Sequence, residues 1–256
     1  MFRAAPPKVA PMLETILLTS TRVDTFVGQA ALTNASGFFF ERGPRLFLVT
    51  SRHVLINMPT RHFPDRIEIE LHIDPENVAK STVFSIPLYR NGAPLWRQGL
   101  DGAGAIDVAV IEIDRAALPQ PTVFRAFTPN NLTPPDGGVE IGAPVLVIGF
   151  PLGFHDTLHH LPVARGAVIA SSFGLRFEGQ GYFLTDARTH RGASGAPVVM
   201  RLRGEEAGHD GGLPWRLLGV HSSRLDVNVR DVDLDEALGL NCAWYADILM
   251  TLTSFA

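Results

Sequence analysis

The chain has 256 residues, 46% of them hydrophobic and 19% charged, with a formal net charge of -4. That apolar fraction supports a sizeable core in one large all-β domain or two smaller units, and it excludes an intrinsically disordered chain. Lys and Arg are scattered, so no electrostatic footprint for nucleic acid exists and none is expected as a partner. The single cysteine, Cys242, excludes an intrachain disulfide and fits a reducing, cytoplasmic compartment; the residue itself reads as a small core side chain.

In chain order, residues 1–20 read as an N-terminal extension. Pro6, Pro7 and Pro11 interrupt it, and no apolar run is long enough for a signal segment or a membrane span, so no membrane partner is expected. Leu13 to Leu18 reads as a helical turn or strand packed on the body. From Thr21 onward, short apolar segments are broken by Gly, Pro, Asn and Asp about every eight to twelve residues, the pattern of antiparallel strands in a sandwich or barrel. Gly37-Phe38-Phe39-Phe40 and Leu46-Phe47-Leu48-Val49 flank a Gly43-Pro44 turn, which predicts a hairpin delivering His53 at its exit. Ile67, Ile69, Leu71 and Ile73 alternate with Glu68, Glu70 and His72, a half-buried strand with His72 facing outward. Asn91-Gly92 predicts a second hairpin between Thr82–Tyr89 and Ala93–Trp96. The loop Gly99 to Ala105 then presents Asp107.

The stretch 129–138, rich in Pro, Asn and Gly, reads as a linker between a first unit at 21–128 and a second at 139–240. The second unit repeats the short-strand pattern through 145–148, 163–171, 182–184, 197–200 and 217–221, with a polar hairpin loop at Arg203 to Pro214. Trp244, Ile248, Leu249 and Leu252 fall at helical spacing and predict a helix over Ala243 to Leu252, within a terminal segment 241–256.

The chemistry concentrates at Gly192-Ala193-Ser194-Gly195-Ala196-Pro197, a tight glycine-flanked turn running into an apolar strand. A serine hydroxyl is inert at neutral pH unless a base takes its proton and N–H groups receive the oxyanion, so Ser194 as nucleophile demands a histidine and a carboxylate elsewhere. His53 follows the apolar run ending at Val49, and Asp107 opens the alternating run to Ile113; Asp101 and Asp114 are the rival carboxylates. His155, His159 and His160 invite a metal reading because His155 and His159 are four apart, but no Cys or Glu completes an obvious ligand set and the surrounding Gly and Pro argue for a loop, so neither a metal nor another cofactor is expected.

The order His53, Asp107, Ser194, each with its flanks, resembles the chymotrypsin-like (trypsin-fold) serine peptidases, most closely the protease domain of the HtrA-type bacterial branch. Thr185-Asp186-Ala187, Val147-Ile148-Gly149-Phe150-Pro151-Leu152-Gly153 and Leu218-Gly219-Val220 carry that likeness, which covers roughly Ser36 to Ser223. The resemblance implies an all-β fold of two antiparallel Greek-key β-barrels with a C-terminal helix and a cleft between them. It implies a serine endopeptidase acting on protein or peptide substrates, with His53 as general base then acid, Asp107 fixing its tautomer, and the N–H groups of Gly192 and Ser194 forming the oxyanion hole. A regulatory protein partner that orders the oxyanion loop is also implied. The alternative is a catalytically silent homologue that binds peptides.

Two departures matter. Ala193 stands where digestive proteases of this fold carry an aspartate that pairs with a newly cut N-terminus, so activation by cleavage is not expected. Ala196 replaces a usual glycine and removes the G-x-S-x-G elbow of α/β-hydrolases. The primary pocket implied by the resemblance is lined by Arg188, Thr189 and the strand carrying His221 and Ser222. Thr189 with His221 resembles the glutamate-selective bacterial proteases and the picornaviral polyprotein proteases, which implies Glu or Gln before the scissile bond. The other reading makes His221 a core histidine and the pocket a site for small aliphatic residues.

Overall fold

A computed structural model describes residues 13–133, 137–202, 212–224 and 239–254. The N-terminal residues 1–12, the centre of the expected linker and most of the Arg203 to Pro214 loop lie outside the described residues. Two antiparallel sheets carry the fold. The first takes strands β1 (Ser20–Val27), β2 (Ala30–Arg42), β3 (Arg45–Thr50), β4 (Arg66–His72), β5 (Ser81–Pro87), β8 (Trp96–Asp101) and β9 (Gly104–Ile113), in the order β5-β4-β1-β2-β3-β9-β8. The second is a closed barrel, β10 (Pro144–Gly149), β11 (Val163–Ile169), β12 (Tyr182–Asp186), β15 (Leu240–Tyr245), β14 (Trp215–Arg224) and β13 (Pro197–Arg201). A small ribbon of β6 (Tyr89–Arg90) and β7 (Ala93–Pro94) turns at Asn91 and Gly92, both at positive φ, as that dipeptide dictates.

Period-2 alternation sorts the apolar residues into three layers. Phe39, Leu46, Leu48, Ile67, Ile69, Leu71 and Ile111 fill the concave face of the first sheet. Val145, Val147, Phe183, Val198, Leu218 and Ala243 fill the second barrel. Residues of the opposite parity, Phe38, Phe40, Phe47, Val108 and Val110, meet Ile148, Val199, Leu217, Val220 and Trp244 in a shared layer between the two. Strands β2, β3 and β9 are thus apolar on both faces because each face is covered. Each fully buried Phe contributes about 1.5–3 kcal/mol, and Phe38, Phe40, Phe47 and Phe127 are all in that state.

Three local expectations are corrected. His72 is buried rather than outward-facing, because the β10–β11 loop lies over it and the His159 carbonyl accepts from its Nε2 at 2.8 Å. Asp107 lies inside β9 rather than after a loop: β8 and β9 pair up to Asp101↔Gly104, so the turn shrinks to Gly102-Ala103. The terminal helix, α2, spans only Ile248–Leu252; residues to Tyr245 form β15, which pairs with both β12 and β14. Closing the barrel satisfies the backbone of that segment on both edges, and this outweighs its helical spacing. Leu249 and Leu252 are buried in the layer between the sheets, and Arg97 donates to the Ser254 carbonyl at 2.8 Å. No helix among the described residues is long and apolar enough to cross a membrane.

Candidate active site

His53 is delivered as the hairpin predicts. Strand β3 ends at Thr50, and the four-residue helix α1 (Arg52–Leu55) turns the imidazole back over β9. Register then does the positioning: Thr50 pairs with Ala109, which places Asp107 two residues further along β9, level with the helix. The carboxylate grips His53 twice, accepting from its backbone N–H at 2.9 Å through Oδ1 and lying 2.6 Å from Nδ1 through Oδ2. That bond puts the proton on Nδ1 and leaves Nε2 as a base. Burial works against the charged form of Asp107. The hydrogen bond and charge of His53, together with the Ser222 hydroxyl, outweigh that and hold the carboxyl below its ordinary value. The rivals have other work: Asp101 pairs with Arg176, and Asp114 caps a short 3-10 turn at Ala116.

Ser194 sits between β12 and β13 in a loop held by contacts from other elements. The Ser194 carbonyl accepts from Ser36 N at 2.9 Å. Ser36 Oγ donates to the Gly192 carbonyl at 2.7 Å and accepts from Phe150 N at 2.9 Å. Leu152 N donates to the Arg191 carbonyl at 2.5 Å. The N–H groups of Gly192 and Ser194 have no partner among the described residues. Gly192 has φ +90°, and a Cβ there would stand 2.5 Å from the Phe150 carbonyl oxygen, so only glycine fits. His53, Ser194, Gly192, Arg191, Asn34 and Leu152 line one open cleft of about 940 Å³.

The Ser194 hydroxyl donates to the Ser222 carbonyl at 2.8 Å rather than to the imidazole. Ser222, placed by the sequence in the pocket wall, has a different contact: its hydroxyl bonds Asp107 Oδ2.

The expected pocket residues are only partly brought together. Arg188 is exposed and Thr189 is buried. The Thr189 hydroxyl bonds Asn241 Oδ1, and Asn241 Nδ2 donates to the Ala187 and Gly239 carbonyls at 2.7 and 2.8 Å. His221 is buried, and its Nδ1 has no hydrogen-bond partner. Burial, with the neighbouring His53 as a second cause, lowers the His221 pKa to about 4, so its ring is neutral at physiological pH. Cys242 is a buried free thiol whose pKa burial pushes up to about 11, which makes it unreactive.

Sequence reasoning missed Ser36, Leu152, Asn241 and Glu70. The first three act through a hydroxyl, a backbone N–H and an amide bonded to distant segments, roles that spacing alone does not mark. Glu70 lies 2.8 Å from His160 Nδ1, and with His155 it forms a cluster the sequence did not reveal.

Two sheets of this topology, with histidine and aspartate on one and a glycine-bound serine on the other, define a trypsin-fold peptidase domain. The chain belongs to the trypsin-like peptidase domain family, whose model matches residues 35–206. Among solved structures it is similar to the serine endoprotease from Yersinia pestis, at 16% identity and a TM-score of 0.53, covering 95% of this chain and 66% of that one. It is also similar to the inactive form of the Rv3671c protease of M. tuberculosis, at 14% identity and a TM-score of 0.49, covering 93% of this chain and 90% of that one. No curated protein sequence matches the chain. The chain therefore spans less than two thirds of the length of the Yersinia structure.

Proposed function

We propose that the protein is a serine endopeptidase in which Ser194 attacks the scissile carbonyl, His53 takes and returns the proton, and Asp107 holds the imidazole tautomer. The observation that carries this reading is the double grip of Asp107 on His53, at the backbone N–H and at Nδ1, in the same cleft as Ser194. In this mechanism the Ser194 hydroxyl leaves the Ser222 carbonyl and gives its proton to His53 Nε2 as it attacks. Attack then forms the C–O bond of a tetrahedral intermediate whose oxyanion meets the Gly192 and Ser194 N–H groups. Collapse to the acyl-enzyme expels the amine with the proton from His53, and water deacylates by the same route. This reading takes Arg188, Thr189, His221 and Ser222 as the surroundings of the primary pocket, with Thr189 and Ser222 turned to Asn241 and Asp107 in the free chain.

Selectivity for Glu or Gln before the scissile bond rests on His221. Its orphan Nδ1 is a buried polar atom without a partner, and a site of that kind favours a side chain that supplies one. The test is cleavage of an unstructured peptide library by the full chain at neutral pH. Enrichment of Glu or Gln that His221→Ala erases supports the assignment; equal cleavage after Val, Ala or Leu, or an unchanged profile in His221→Ala, refutes it. One observation favours a second reading, a catalytically silent peptide-binding homologue: the Ser194 hydroxyl rests on Ser222 and not on His53. Turnover of any library peptide that Ser194→Ala abolishes eliminates that reading.

A further inference from the structure

We propose that Glu70, His155 and His160 form a divalent transition-metal site of zinc type that clamps the β10–β11 loop onto strand β4. The ligating atoms of the three side chains all lie within 4.8 Å of one another, although they come from different sheets. The His155 and His160 rings stand 6.3 Å apart.

Two of the three ligands, His155 and Glu70, are held from behind, as metal-bound imidazoles and carboxylates usually are. His155 Nδ1 lies 2.6 Å from the Gly153 carbonyl, so it carries the proton and leaves the Nε2 lone pair for a ligand. The Ser81 hydroxyl donates to Glu70 Oε1 at 2.7 Å, and Glu70 Oε2 has no partner among the described residues. The loop is shaped to bring two non-adjacent histidines together. Asp156 pairs with Leu161, its carboxylate accepts from the N–H groups of Leu158 and His159, and His160 adopts φ 55°, which non-glycine residues seldom hold. The intervening His159 turns instead to Asp156, 2.7 Å away.

Two imidazoles and one carboxylate suit zinc and its transition-metal neighbours, whereas magnesium and calcium take oxygen-rich sets. A tetrahedral zinc about 2.1 Å from each ligand spaces those ligands about 3.4 Å apart, so the wider separations, which reach at most 4.8 Å, close by up to about 1.4 Å while the 2.8 Å Glu70–His160 pair opens slightly. Three protein ligands leave the fourth position to water. The same loop carries Leu152, whose N–H fixes the Arg191 carbonyl beside Gly192, so the clamp also steadies the wall of the cleft. None of this depends on whether Ser194 is a nucleophile.

The metal-free full chain, titrated with Zn²⁺ against a chromophoric chelator, should take up one equivalent. Co²⁺ should give the intense visible absorption of a four-coordinate site. Glu70→Gln and His155→Ala should each weaken zinc binding by about 100-fold, while His159→Ala leaves it unchanged. Zinc should also slow amide hydrogen exchange across residues 154–161 in the native chain but not in Glu70→Gln. Sub-stoichiometric uptake, equal affinity in Glu70→Gln and His155→Ala, or uptake without a change in exchange at 154–161 would each overturn the proposal.

Discussion

The two halves of the cleft, one proposed to supply the acid–base pair and the other the nucleophile, are built by different means. His53 and Asp107 are fixed by strand register: β3 and β9 pair from Leu46↔Ile113 to Thr50↔Ala109, and the two side chains follow from where the pairing ends. Ser194 and Gly192 lie in a loop held from outside by a few hydrogen bonds, two from Ser36 and one from Leu152 among them. A register cannot drift without sending every side chain to the wrong face, whereas a loop held by a few bonds can be retuned. The first half is therefore the more rigid of the two, and the second is the one a few changed bonds can move.

The sharpest break in this picture is the nucleophile itself. Ser194→Ala should leave the fold intact and lower kcat by about a million-fold; peptide turnover within about tenfold of the native rate would remove the serine from the mechanism. Next comes the rigid half. Asp107→Asn keeps the geometry but favours the wrong tautomer of His53, so kcat should fall by about 10⁴-fold with an unchanged melting temperature. A near-native rate would transfer the role to another carboxylate.

The loop half predicts a smaller loss. Gly192→Ala forces a Cβ against the Phe150 carbonyl, displaces one oxyanion donor, and should lower kcat/KM by about 100- to 1000-fold in steady-state assays. Retention of activity within a few-fold would mean that the loop, not the Gly192 N–H, tolerates rearrangement.

The smallest effect is on stability. The His221 pKa falls from 6.5 in the unfolded chain to about 4 in the folded one, so the unfolded state binds the proton first. Stability is complete above pH 6.5 and is lost as the pH falls toward 4, by about 3 kcal/mol. The lowered Asp107 carboxyl adds a further loss only at more acid pH, through and below the ordinary carboxylate value. Denaturant melts of native protein and His221→Leu across that window measure the first term; an equal slope in both would show that His221 is not a buried neutral ring.

The same division governs what could be read from the sequence. His53, Asp107 and Ser194 were legible because each stands at a fixed offset from an apolar alternation or a glycine turn. The buried state of His72 and the approach of Glu70 to His155 and His160 were not, since both arise where a loop of one sheet lies on a strand of the other. Helical spacing at Trp244 to Leu252 was misleading because closure of the barrel recruits residues to Tyr245 as a strand. The spacing that suggested a pocket wall at Arg188, Thr189, His221 and Ser222 gave no sign that Thr189 turns to Asn241 or Ser222 to Asp107.

The most direct test of the central claim is reaction of the folded full chain with a fluorophosphonate, mapped by peptide mass spectrometry. The account predicts one equivalent of adduct on Ser194, absent in Ser194→Ala and formed far more slowly in Asp107→Asn. Folded protein that takes up no probe at Ser194, or labels at another residue with Ser194 intact, would contradict it.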